Sequence, residues 1–264
     1  MKKLIYVVLC GFMMLNTGCI DIIEEIFLKK DGSGKYLFTM DLSAMMDEDL
    51  QNMMKGFGEE AEEGEEAAEA ETGGEDAFKD VMFKESMDTI MYFSDAPDSI
   101  KQNFDDPEML KKMFMHIKSD VEEKKMFFSF GIDFDKPEEI EYLMKNLDKL
   151  QQANQMGGSM GMGNGFMMGS GSSPSFVFKK KYLERLPVKK GDVKKAIGEE
   201  DMGVMKMIFG SASYKTIYHL PGKVKKVSNS KAVIDGKTVT LTMPMMDYLE
   251  ELIDPATSIK FKNR

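Results

Sequence analysis

The sequence predicts an α+β fold: a mainly antiparallel sheet built from hairpins, with amphipathic helices on one face and disordered insertions. Three observations carry this expectation. Short segments alternate apolar and polar residues around Gly-rich turns. Others repeat apolar residues at helical spacing, and two stretches have no apolar periodicity at all.

Residues 22–30 and 35–42 flank Asp31-Gly32-Ser33-Gly34. In the second, Tyr36, Phe38, Met40 and Leu42 alternate with Leu37, Thr39 and Asp41, so the pair reads as a β-hairpin. The tetrapeptide is turn chemistry: it lacks the spaced carboxylates of a calcium loop and the downstream Lys-Ser/Thr of a phosphate loop. Ser43 offers an N-cap to a helix over 44–55. Residues 57–77 hold ten acidic side chains and no basic one, a composition that buries no apolar face and reads as a disordered insertion. Met87, Ile90, Met91 and Phe93 suit a strand or a helix equally well. A short helix is expected near Pro107, capped by Asp105 or Asp106.

Residues 113–119 and 125–134 form a second hairpin, turning at Val121 to Lys124, with Met126, Phe128, Phe130, Ile132 and Phe134 on one face. Asp135 caps a helix with Pro137 just inside it, and Ile140, Leu143, Met144, Leu147 and Leu150 form its core-facing stripe. Residues 151–175 are low-complexity Gly, Ser and Met, a flexible insertion. Beyond it, 176–186 reads as one strand, 192–209 as one or two short helices, and 213–220 as a strand. Residues 223–227 and 231–243 read as a pair, with a turn at Asp235-Gly236. Pro244 opens a last helix to about Ile253, and 258–262 adds an edge strand.

The domain layout follows: a signal segment over 1–18 and one α+β domain over 19–264, interrupted at 57–77 and 151–175. The formal net charge is −10, and loss of Lys2 and Lys3 with a signal segment makes it two units more negative. Such a balance argues against nucleic-acid binding and against attraction to anionic head groups.

The first nineteen residues carry the sharpest functional signal. Lys2 and Lys3 precede an apolar run from Leu4 to Leu15, too short to span a bilayer, followed by Asn16, Thr17, Gly18 and Cys19. This resembles the signal and lipobox of bacterial lipoproteins, with Asn16 where that family usually has Leu. The resemblance implies cleavage after Gly18 and acylation of Cys19, which becomes the mature N-terminus. The only other cysteine, Cys10, is lost with the signal, so no thiol is left for redox or nucleophilic work. Two or three acyl chains, at about 0.8 kcal/mol per buried methylene, suffice for stable anchoring. Ile20 and Asp21 follow the cysteine, and the lack of Asp directly after it resembles the sorting pattern of outer-membrane lipoproteins.

Asp31-Gly32-Ser33-Gly34 near the anchor combines with Leu220-Pro221-Gly222-Lys223-Val224, Asn229 and Asp235-Gly236-Lys237-Thr238-Val239. Together these turns resemble a group of bacterial envelope lipoproteins that includes the LppM-type domain. This chain lacks the C-terminal transmembrane helix common in that group and has Leu241 near the last strand in place of an aromatic residue. The resemblance implies an envelope lipoprotein that handles a lipid or glycolipid, and it carries no catalytic residues.

The chemistry left points away from an enzyme and requires no cofactor. His116 and His219 both fall on predicted strands, where packing is the usual role, and there is no H-E-x-x-H zinc motif. Clustered thioethers at Met156, Met160, Met162, Met167 and Met168 make copper(I) binding the alternative function. Methionine also occupies core positions such as Met40, Met126, Met144 and Met243, which favours a general use of flexible packing. The expected function is therefore a non-enzymatic binding or structural role at a membrane, with a lipid or an envelope protein as partner.

Overall fold

The computed structural model describes residues 21–46, 85–102, 104–152, 174–188, 203, 206 and 209–262, without the side chains of residues 45, 99 and 147–152. The signal segment with Gly18 and Cys19, the 57–77 tract, most of the 151–175 tract and most of the 192–209 helices lie outside the described residues.

Strands β1 (Asp21–Leu28) and β2 (Gly34–Asp41) form the first hairpin in full register, Asp21 opposite Asp41 and Leu28 opposite Gly34. Its turn needs Gly32, whose φ of 96° lies in the left-handed region that side chains disfavour. The Asp31 carboxylate accepts from the Ser33 N–H at 3.1 Å and from its hydroxyl at 2.8 Å, closing the loop. The strand β3 (Met87–Tyr92) resolves the ambiguous stretch near Ile90. β4 (Met113–Asp120) and β5 (Lys125–Phe134) form the second hairpin where expected.

Other expectations change. Residues 176–186 are not one strand but a hairpin, β6 (Phe176–Lys179) and β7 (Tyr182–Arg185), turning at Lys180-Lys181. Three consecutive lysines hold no Gly or Pro to announce a turn. β8 (Ser213–His219) agrees with the sequence pattern. β9 (Val224–Val227) does not pair with 231–243; that stretch folds on itself at Asp235-Gly236 as β10 (Val233–Asp235) and β11 (Thr238–Pro244). β12 (Thr257–Phe261) is not an edge strand, because β7 and β9 pair with it on either side.

Two sheets result. The larger runs β10-β11-β8-β1-β2-β5-β4-β3, antiparallel except where β1 lies parallel to β8. The smaller runs β6-β7-β12-β9. Strand alternation gives the large sheet an inner face carrying Ile22, Ile26, Tyr36, Phe128, Phe130 and Tyr218, all buried. What covers it includes the small sheet: Phe176 meets Tyr36 at 6.4 Å between ring centres, and Phe178 stacks on Phe134 at 5.9 Å.

Helices are few and mostly short. α1 (Asp98–Lys101) and α2 (Pro107–Leu110) are single turns, the second capped by Asp106, whose carboxylate accepts from the N–H groups of Glu108 and Met109. α3 (Glu138–Gln152) buries Ile140 and Leu143, and the Tyr36 hydroxyl points at Met144 Sδ, 3.9 Å away. Its start departs from expectation. The Asp135 carboxylate is taken by Lys112 at 2.7 Å, and Glu139 reaches back to accept from the Asp135 N–H at 2.9 Å. α4 (Met245–Leu249) follows Pro244 and stacks Tyr248 on Tyr214 at 4.5 Å. Where a helix over 44–55 is expected, Ser43–Met46 form a 3-10 turn and residues 47–55 lie outside the described residues; the Ser43 hydroxyl accepts from the Met126 N–H on β5.

One ion pair joins the two sheets inside the core. Arg185 of β7 and Glu24 of β1 are both buried, and Arg185 Nη1 donates to Glu24 Oε2 at 2.7 Å. Arg185 Nη2 donates to the Tyr214 hydroxyl at 3.0 Å, and that hydroxyl in turn donates to Glu24 Oε2. The guanidinium also lies over the Phe176 and Tyr214 rings. Burial is the largest single effect and opposes its charge, but the Glu24 carboxylate, joined by smaller contributions from Tyr214, Tyr218 and Tyr248, more than offsets it and holds the guanidinium above its ordinary pKa. Burial pushes the Tyr36, Tyr214 and Tyr218 phenols up, so they surround the pair as neutral groups.

The pair is not bidentate: Glu24 Oε1 and Arg185 Nε are buried without a hydrogen bond, as is Thr216 Oγ1 beside them. Incomplete hydrogen bonding leaves part of the desolvation cost standing. Removing one partner should therefore cost about 3–5 kcal/mol, because it strands the other charge. In urea unfolding, Arg185→Met and Glu24→Gln should each lower the midpoint sharply, and the double replacement should lose less than the sum of the two. Additive losses would show that the charges are not coupled.

Candidate functional site

Residues of the large sheet that point away from the core form an outer face that is only partly polar. Pairing registers align Val233, Thr240, Ile217, Glu25, Leu37, Gly131, Phe114 and Tyr92 in one row across all eight strands. A Cβ on Gly131 would come within 2.3 Å of the Phe114 ring and 2.8 Å of Leu37, so the bare glycine is what lets Phe114 lie flat on the sheet. The ring is buried there, with Lys35 Nζ 5.0 Å above its centre and Tyr92 tilted against it at 5.9 Å. Toward its edges the face opens: Val233, Ile90 and Tyr92 are exposed.

At the end of the sheet where β1 turns into β2, this face holds an open groove of about 570 Å³. Phe27, Leu28, Leu37 and Leu220 give it apolar walls, and Lys29, Lys35, Asp133 and His219 its polar ones. The β1–β8 parallel pairing creates it by setting Phe27 beside His219, 192 positions later in the chain. Their rings stack at 4.2 Å and 8° between planes, and His219 Nε2 bonds Glu25 Oε1 at 3.1 Å. Lys35 pairs with Asp133 at 3.7 Å, an exposed contact of small energetic weight that leaves the ammonium accessible.

Among the described residues, no hydroxyl or thiol side chain lines the groove. Among the described residues no three histidine, cysteine or acidic side chains gather as a metal site. No helix among them is long and apolar enough to cross a membrane.

The candidates named from sequence separate clearly. Gly18, Cys19 and the methionines Met156, Met160, Met162, Met167 and Met168 lie outside the described residues. His116 and His219 both stand on the outer face, each hydrogen-bonded to a carboxylate, but at different places on it. The groove itself was missed, although β1 carried a hint. Its segment Ile22-Ile23-Glu24-Glu25-Ile26-Phe27 is not a clean alternation, and Ile23 and Phe27 had to face away from the core.

His116 Nε2 lies 2.7 Å from Asp88 Oδ1 across the β3–β4 pair, and Lys118 adds a second contact at 3.6 Å. The hydrogen bond from His116, then its charge and that of Lys118, hold the Asp88 carboxyl below its ordinary range. A carboxyl so depressed stabilises the fold at neutral pH, and the contribution is lost as pH falls through its folded value. Carboxyl titration by NMR should find Asp88 below ordinary aspartates, and His116→Ala should move it upward; no movement would reassign the shift.

No family model matches this chain, and no curated protein matches it. Among solved structures, it is similar to the NMR structure of the folded domain of the Mycobacterium tuberculosis LppM protein. That likeness covers 93% of this chain and 90% of the other, at a TM-score of 0.34 and 9% identity.

Proposed function

We propose that this chain is a non-enzymatic lipoprotein of the cell envelope, anchored through acylated Cys19, whose groove binds an amphiphilic ligand with an anionic group. The observation that supports binding is the groove: apolar walls of Phe27, Leu28, Leu37 and Leu220 beside Lys29, Lys35 and His219, against one carboxylate, Asp133, on a chain of net charge −10. An apolar concavity with a few polar groups is the usual form of a small-ligand site. An acyl or similar chain suits the walls, and a carboxylate or phosphate suits Lys29 and Lys35. The anchoring reading rests on the run from Lys2 to Cys19, and the residues after Cys19 favour the outer membrane.

Cells fed a palmitate analogue should label the wild-type chain and leave Cys19→Ala unlabelled; equal labelling would remove the anchor. For the groove, a dansyl-labelled fatty acid should brighten on binding the wild type. Leu37→Glu puts a like charge against the ligand in the groove wall and should weaken binding about tenfold or more, equivalent to roughly 1.4 kcal/mol. Unchanged affinity would place the ligand elsewhere.

A further inference from the structure

We infer that the outward face of the small sheet is a lysine surface that docks on the anionic phospholipid head groups of a bilayer. The membrane location proposed above supplies the bilayer, and the face belongs to the other sheet from the groove.

Alternation builds the face. Leu183 of β7 and Ile259 and Phe261 of β12 are buried, so the residues alternating with them point away from the core. Pairing then sets Lys179, Tyr182, Lys260 and Lys226 in one outward row across all four strands. At about 4.8 Å per strand the row is about 14 Å wide. Beyond it, the Phe261 N–H donates to the Lys181 carbonyl and the Lys262 N–H to the Lys223 carbonyl. These two bonds bring Lys181, Lys223 and Lys262 to the rim of the row, and all six lysines are exposed.

The face is not neutralised. Lys260 stands directly opposite Lys226, an arrangement of like charges that opposes sheet pairing. Among the described residues, none of the six lysines has a carboxylate within ion-pairing distance. Lys112 and Lys118 at the large sheet, by contrast, each contact one. Among the outward positions of the four strands Glu184 is the one carboxylate, and it accepts from the Tyr182 hydroxyl. The net charge of −10 argues against anionic head groups only as an average over the chain, and that average hides this face.

Three features select a bilayer as the occupant. The row is an extended array of charges across a sheet face, which suits a planar layer of phosphates. Its cations are lysines, compact point charges that hold to a diffuse anionic layer, whereas Arg185, whose fork would read a single phosphate, points inward to Glu24. Its one aromatic side chain, Tyr182, is half-buried, so there is no platform on which nucleic-acid bases stack. Each lysine near an anionic bilayer adds to an attraction that salt screens.

Lysine footprinting tests the face. The full chain purified from membranes is mixed with vesicles of phosphatidylcholine, alone or with phosphatidylglycerol added, acetylated briefly and mapped by mass spectrometry. Lys179, Lys226 and Lys260 should acetylate about fivefold more slowly with phosphatidylglycerol present. High salt should restore them, and Lys111 and Lys118 should react alike on both vesicles. In the double variant Lys226→Glu, Lys260→Glu the slowing at Lys179 should vanish. If it persists there, or if the wild type reacts equally on the two vesicles, the inference is overturned. Slowing by soluble polyphosphate alone also overturns it and assigns the face to a polymer. Slowing on phosphatidylcholine that high salt relieves overturns it too, and assigns the face to the chain's own acidic residues 57–77. A chain that does not co-float with phosphatidylcholine vesicles removes the anchor, while the footprint with phosphatidylglycerol still decides the face.

Discussion

The contact between Arg185 and Glu24 sets the terms for the rest of this molecule. Two sheets can slide over one another as long as only aliphatic and aromatic groups meet between them, because dispersion and the hydrophobic effect have little direction. A buried guanidinium on a buried carboxylate has one satisfactory geometry. The Tyr214 hydroxyl fixes it further by bonding both partners, and Tyr214 is itself held by the Tyr248 ring from α4. The arrangement thus ties β1, β7, β8 and α4 to one point. Whether it stabilises in net terms is secondary to its use as a registration mark between sheets.

With the inner face committed to that contact, the outer face is free to vary. It does so by mixing apolar residues with carboxylates and lysines rather than presenting a uniformly polar surface. The Gly131 gap and the flat Phe114 ring above it show how close packing extends onto a face that solvent still reaches. The groove at one end depends on the same strand as the ion pair. Glu24 points inward from β1, and Glu25 and Phe27 point outward to His219. A register slip of one residue in β1 would exchange these roles and destroy both.

The hairpins were legible because their information is local: alternation, a turn and a second alternation lie within about twenty residues of each other. The β1–β2 and β4–β5 pairs and the Asp106 cap follow from such signals. The β6–β7 turn was not legible, since Lys179-Lys180-Lys181 has no turn-forming residue, and neither was the central place of β12. Glu24 could not be told from Glu25 by sequence, because burial is decided by Arg185 on another sheet. The groove was hidden for the same reason, its two stacked rings being joined only by a long-range parallel pairing. The Leu220-Pro221-Gly222 turn was visible as a motif, but its cause was not: a Cβ on Gly222 would sit 1.4 Å from the Lys262 carbonyl oxygen. That glycine is where the C-terminal strand passes against the end of the large sheet.

The parallel pairing of β1 with β8 has a further consequence, in time rather than in space. β1 is among the first strands made, and the neighbour that closes one of its edges begins only at Ser213. Until that stretch emerges, β1 presents an unpaired backbone edge beside apolar side chains, the kind of edge that captures other chains. Closing a contact across some two hundred residues is also slow, because the loop must be ordered before the contact repays it. β1, the first strand among the described residues, is thus the last of the central strands to be completed. The edge of β1 is therefore open to wrong partners until β8 arrives.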